Sequence, residues 1–163
     1  MSYSFDSDGW DLFNTPFSST PTRTAPASST HHALLEKFEN QYITDGMTDK
    51  EEAERAAWYI GYTSDYQAGQ NNWMLLFFHG KGDCLASRTA LENMCRHMGI
   101  KARSCGNFDY HGKTLVKAEG KFYIITTEYD EPKPRSYGIT EVSGTDLEKI
   151  MADNNLKIWM FES

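Results

Sequence analysis

A chain of 163 residues, 39% hydrophobic, 24% charged and formally −7 at neutral pH, has the material for one ordinary core, and its length gives no reason for a second domain. The acidic balance, with no Lys/Arg cluster to override it, excludes nucleic-acid binding through a basic face. No stretch approaches the roughly 18 to 20 continuous apolar residues of a membrane helix, and the N-terminus lacks a basic segment followed by an apolar one, so the expectation is a soluble chain with no membrane partner. Three cysteines, an odd number without framework spacing, argue against a stapled secreted scaffold and leave at least one free thiol, which does not fix the compartment.

From Met1 to Thr30 the chain is rich in Ser, Thr, Pro and Asp and shows no period, which predicts a flexible tail or linker ahead of a body at 31–163. Trp10, Phe13 and Phe17 are unusual in such a segment and either dock on the body or mark a binding stretch. His31 and His32 form a pair with no further ligands nearby in sequence. They read as surface, and no metal or other cofactor is expected.

In the body, Leu34, Leu35, Phe38 and Tyr42 share one helical face, predicting a helix from His31 to about Gln41. A second helix starts at Thr48-Asp49-Lys50-Glu51, where the Thr hydroxyl caps the N–H three residues on and Glu51 returns the bond. Ala53, Ala56, Ala57 and Ile60 give it a stripe for close packing. Thr63 to Asn72 reads as a polar loop, which includes Tyr66, and Trp73 to Phe78 as an apolar run belonging to the core.

Gly80-Lys81-Gly82-Asp83-Cys84 follows and opens an amphipathic helix with Leu85, Leu91, Met94, Cys95 and Met98 at helical spacing, stopped by Gly99. Cys84 therefore stands at a helix N-terminus, where unpaired N–H groups and the dipole favour a thiolate. The flanking glycines are read as allowing close approach by a substrate.

The texture then changes from period 3.6 to period 2. Lys101 to Cys105 reads as a strand with a turn at Gly106-Asn107. Thr114 to Ala118 and Lys121 to Thr127 form a hairpin about Glu119-Gly120, ended by Pro132 and Pro134. Tyr137 to Val142 is a further strand, Thr145 to Asp153 a short helix and Lys157 to Phe161 a last strand. Helices followed by an antiparallel sheet make an α+β order.

A cysteine at a helix start facing a histidine at a sheet edge is how thiol hydrolases and acyltransferases pair nucleophile and base. Cys84 and His111, just ahead of the hairpin, are that pair. Thr126 or Glu128, two apart on the next strand and so on one face, can orient the imidazole. The N–H of Cys84 is the natural oxyanion donor. Cys95 lies three turns along the helix from Cys84, too far to share an ion, and no Cys-x-x-Cys pair exists, so no zinc site is expected there. Cys95 and Cys105 read as small core residues.

Gly80-Lys81-Gly82-Asp83-Cys84, the helix ending Met98-Gly99-Ile100-Lys101-Ala102-Arg103, His111, and Gly120-Lys121-Phe122-Tyr123 together resemble the core of the transglutaminase-like superfamily of cysteine enzymes. The resemblance covers roughly Leu34 to Pro132, with Gly46 to Glu51 looking like the family's lead-in to its cysteine. It implies a papain-like, transglutaminase-like α+β core in which Cys84 attacks a peptide or glutamine carboxamide carbonyl, with a protein or peptide as substrate. It also implies a carboxylate three residues after Tyr123, where this chain has Thr126, and Ala-Trp after the histidine, where this chain has Gly112-Lys113. Three outcomes stay open: a Cys-His dyad, a displaced acid at Glu128 or Asp130, or a non-catalytic relative that binds a protein or peptide. Related cores take a second oxyanion donor from a side chain upstream of the cysteine. Tyr66, Asn72 and Trp73 are the candidates here, with Tyr66 first.

Overall fold

The computed structural model describes residues 31–127 and 137–162. The expected tail with Trp10, Phe13 and Phe17, and the positions of Glu128, Asp130, Pro132 and Pro134, lie outside the described residues.

Among the described residues the helices are α1 (His31–Tyr42), α2 (Asp49–Thr63), α3 (Trp73–His79), α4 (Cys84–His97) and α5 (Gly144–Asp153). Two-residue strands β1 (Asp65–Tyr66) and β2 (Lys81–Gly82) pair in parallel, and β3 (Lys101–Ser104), β4 (Lys113–Ala118), β5 (Lys121–Thr126) and β6 (Gly138–Val142) form an antiparallel sheet in chain order. The α+β order expected from the sequence is the order observed.

Local signals account for most of these elements. Thr48 and Glu51 form the reciprocal capping box at the start of α2, satisfying two N–H groups that the first turn leaves without helical partners. The β4–β5 hairpin turns through Glu119 (φ 49°) and Gly120 (φ 77°). Two consecutive left-handed residues give the type I′ turn, whose twist matches that of the strands it joins.

One face of the sheet packs on the helices. Ala102, Val116 and Ile125 join Leu34, Phe38, Trp58, Ile60, Leu76, Leu91, Met94 and Cys95 in the main core. Truncating a fully buried member such as Leu91 to Ala costs about 2–5 kcal/mol, transfer and cavity terms together. The other face carries Leu115 and Phe122, which pack on Phe161, with Ile124, Val142, Leu147 and Ile150 around them.

Two expectations need correction, and one element goes beyond what the sequence assigns. Lys157 to Phe161 is not a strand: Ile158–Phe161 is a 3-10 turn. Its β-forming composition serves a different end, since Phe161 must drop onto Phe122 (ring centroids 5.3 Å apart) to close the second face while Trp159 stays 65% exposed. Leu85 is not a core member of α4 but is 37% exposed; Ala86 and Ala90 take the buried face and let α4 approach its neighbours closely. The apolar run after Asn72, expected only to belong to the core, forms a helix, α3, whose first turn is capped by the Asn72 side-chain oxygen Oδ1, accepting from Met74 N–H at 2.9 Å and Leu75 N–H at 3.3 Å.

Candidate active site

The cysteine loop is held from upstream by the polar segment that precedes α3. Asp65 pairs with Lys81 and Tyr66 with Gly82, and the Asp65 and Gln67 N–H groups donate to the Gly80 and Gly82 carbonyls at 2.7 and 2.9 Å. Gln70 closes the arrangement. Its side-chain amide donates to the carbonyls of Lys81 (2.7 Å) and Asn72 (3.1 Å), its side-chain oxygen accepts from Asn72 N–H (2.7 Å), and its carbonyl accepts from Asp83 N–H (2.8 Å). The loop before Cys84 is therefore set by a residue fourteen positions upstream of the cysteine, with no signal in the sequence to mark it.

Both glycines have structural roles. Gly80 ends α3 in the left-handed region (φ 71°) and donates to Leu76 at 2.8 Å. Gly82 is buried; a Cβ there would lie 2.9 Å from the Ala86 Cβ and 3.0 Å from Leu76 Cδ1. The close neighbours are α4 and α3 themselves.

Asp83 is the N-cap of α4, its carboxylate accepting from Ala86 N–H at 3.0 Å, and Cys84 is the first helical residue. The Ser87 hydroxyl donates to the Cys84 carbonyl at 3.1 Å. Cys84 is half-buried, whereas Cys95 and Cys105 are fully buried, and none of the three is in a disulfide. Burial pushes the Cys105 thiol up to about 11, with Arg88 and Lys113 working partly against it. Burial, reinforced by Glu52, Glu92 and Asp49, holds the Cys95 thiol higher still. Both are protonated and shielded near neutral pH.

What joins α4 to the sheet at this end is Arg88, one turn beyond Cys84 and so on the same helical face. Its guanidinium donates to the Cys105 carbonyl, and its own carbonyl accepts from the Ser104 hydroxyl (3.3 Å) and the Thr114 hydroxyl (3.4 Å). Ser104 and Thr114 are cross-strand partners at the end of β3 and the start of β4. The Cys84 face of α4 thus points to the sheet end at which the chain enters β4, and His111 stands three residues ahead of Thr114. His111 caps the short 3-10 turn Phe108–Tyr110 and is half-buried; Gly112, which follows it, is left-handed (φ 72°), so the strict alternation of β4 does not extend through His111.

Thr126 is the last residue of β5, at the same sheet end, opposite Lys113 on one side and Gly138 on the other. Alternation groups it with Phe122 and Ile124, on the face that Phe161 covers. Thr127, one residue on, falls on the α4 side and is fully buried. Both hydroxyls are buried and without a hydrogen-bond partner among the described residues. Nothing in the sequence marks Thr127, since alternation groups Thr126 with Glu128 instead.

Of the upstream donor candidates, Tyr66 is paired with Gly82, two residues before Cys84, and half-buried against the main core. Asn72 is committed to capping α3. Trp73 sets its ring edge against Phe77 (5.8 Å between centroids). His97 is paired with Glu39 at the far end of α4, remote from Cys84.

The sequence profile of the transglutaminase-like superfamily matches residues 36–142. The match takes in the cysteine loop, α4, His111 and the sheet, and the chain belongs to that superfamily, whose domains are often the cores of cysteine enzymes. No curated protein and no solved structure gives a significant match to the chain.

Proposed function

We propose that the chain is a cysteine-dependent acyl-transfer enzyme acting on a peptide or glutamine carboxamide, with Cys84 as nucleophile and His111 as base. The observation that carries this reading is the placement of Cys84. It is the half-buried cysteine, it opens a helix, and its helical face is fastened through Arg88 to the sheet end where His111 stands.

In this mechanism His111 removes the thiol proton and the thiolate attacks the carbonyl carbon. The N–H of Cys84 faces the developing oxyanion, with Tyr66 as the second donor. Collapse breaks the C–N bond, His111 returns the proton to the departing amine or ammonia, and a thioester remains. Water or an amine then attacks the thioester, giving up its proton through His111, and the thiol is restored. Thr126 stands where the family's acid is expected and orients the imidazole through its hydroxyl, with Glu128 as the competing candidate.

The second reading is a domain of the same fold that holds a protein or peptide in the cleft without chemistry. It is favoured by the absence of a carboxylate at Thr126. Iodoacetamide labelling separates the two: selective, rapid alkylation of Cys84 near neutral pH, slowed in His111→Ala, supports the enzyme. Trapping a thioester on Cys84 with a glutamine peptide, lost in Cys84→Ala, establishes it, and slow labelling with no trapped thioester leaves the binder.

A further inference from the structure

At the opposite end of α4 from Cys84, His97 meets α1. Its Nδ1 faces the Glu39 carboxylate, and its Nε2 lies 3.1 Å from Nδ1 of His32. The other nitrogen of His32, Nε2, has the Glu36 carboxylate behind it at 3.7 Å. Two imidazoles thus turn one nitrogen each toward the other, and His97 has the Glu39 carboxylate on its far nitrogen.

For His97 that is the arrangement in which metal-binding histidines are held. The carboxylate takes the N–H, fixes the tautomer and leaves the opposite lone pair facing the ion. We propose that His32 and His97 form a surface site for a borderline divalent metal such as zinc, bridging α1 to the C-terminal end of α4. In a tetrahedral zinc site with Zn–N bonds of about 2.0–2.1 Å, two ligand nitrogens stand about 3.3 Å apart. The observed gap needs to open by only a few tenths of an ångström. Glu36 supplies the third donor: ligand atoms of His32, Glu36 and His97 lie within 4.8 Å of one another, and the Glu36 side chain is 57% exposed, free to swing toward the ion. Glu39 remains behind His97. Two imidazoles and one carboxylate suit zinc and its first-row neighbours better than calcium or magnesium, which prefer all-oxygen shells.

His97 stands sixty-five residues from His32 in sequence, so the site arises only when α1 docks on α4. The ion would lock the first helix of the domain onto the helix that carries Cys84, at the end away from the chemistry.

The test uses the full chain, untagged and stripped of metal. Zinc is titrated while affinity and melting temperature are followed. One equivalent of zinc is expected to bind and raise the melting temperature. His32→Ala, at an exposed position that leaves the fold intact, should lose at least tenfold in affinity together with the thermal shift. Glu39→Gln should lose about ten- to a hundredfold, as the group behind a ligand does. Cobalt substituted for zinc should give visible d–d bands without a thiolate-to-metal charge-transfer band. No stoichiometric binding, binding unchanged in His32→Ala, or a thiolate band placing the ion on a cysteine would each overturn the assignment.

Discussion

The carboxylate of Asp83 accepts a hydrogen bond from the N–H of Ala86 at 3.0 Å, so the residue immediately before Cys84 caps the helix with a full negative charge. The cap's charge and the helix end act on the Cys84 sulfur in opposite directions. The helix end favours a thiolate, while a neighbouring carboxylate disfavours it. Asn caps about as well as Asp. Asp83→Asn is therefore expected to keep the melting temperature and to raise the alkylation rate of Cys84 at neutral pH several-fold, its profile moving to lower pH. Asp83→Ala loses the cap as well, at a cost of about 1 kcal/mol. Identical alkylation profiles for wild type and Asp83→Asn would show that the cap's charge is not felt at the sulfur.

A second expectation concerns Gln70, which ties Lys81, Asn72 and Asp83 together. Gln70→Glu keeps the acceptor for Asn72 N–H but turns the donor toward the Lys81 and Asn72 carbonyls into a second acceptor. With net hydrogen-bond contributions of about 0.5–1.5 kcal/mol each, both Gln70→Glu and Gln70→Ala should lose roughly 1–3 kcal/mol of stability. Both should also slow Cys84 alkylation at temperatures where the protein is still folded. Chemical denaturation and alkylation measured side by side check this. A loss of stability with an unchanged alkylation rate would make Gln70 a structural residue without influence on the cysteine.

Gln70 also shows where sequence reading stops. The capping box at Thr48 and Glu51, the Glu119-Gly120 turn and the placement of Cys84 at a helix start are local chemistry, determined within a few residues, and they are legible. Gln70 sits in what reads as an ordinary polar loop, and its bond to Lys81 spans eleven residues without a motif. Arg88 reads as one more polar residue of an amphipathic helix, though it fastens the helix to Cys105 and Thr114. Lys157 to Phe161 reads as a strand because aromatic and branched residues favour strands. Whether such a segment pairs or folds onto a face depends on where Phe122 waits, which is tertiary information. The proposed pairing of Cys84 with His111 rests on the family's pattern and not on periodicity.

A third prediction follows from the buried thiols. Cys105 is raised to about 11 by burial, above the ordinary thiol value of roughly 8.5 that it regains on unfolding. Its neutral form is the one the fold prefers. The associated stability is fully present below the unfolded value and is lost as pH rises through about 11. Cys95, and Tyr137 beside Glu54, are shifted in the same direction, mainly by burial. Urea midpoints should hold steady up to about pH 8 and fall between about pH 9 and 11. In Cys105→Ala the fall should be shallower. Superimposable pH dependences for the two proteins would remove Cys105 from the account.

The last prediction bears on the group that orients His111. The Thr126 hydroxyl is buried with no hydrogen-bond partner among the described residues, and a Cβ on Gly138, across the ladder, would lie 3.2 Å from its methyl group. A buried, unpaired hydroxyl costs stability, so exchanging it for a methyl of the same shape is neutral or stabilising. If the hydroxyl accepts the imidazole N–H during turnover, Thr126→Val should be as stable as wild type or more so, yet slower by about three- to tenfold, the rate equivalent of one ordinary hydrogen bond. Thr126→Asp should raise turnover, since a carboxylate holds the imidazolium more strongly than a hydroxyl does. Thr127 is the rival. It lies one residue on, fully buried on the α4 side, with an equally unpaired hydroxyl. Glu128→Gln completes the set, because a displaced carboxylate there makes both threonine variants silent. Melting temperature and turnover measured for Thr126→Val, Thr127→Val and Glu128→Gln decide among the three. A structural hydroxyl would move only the first quantity and an orienting one the second. If all three variants turn over like wild type, no side chain at these positions orients His111, and Cys84 and His111 work as a dyad.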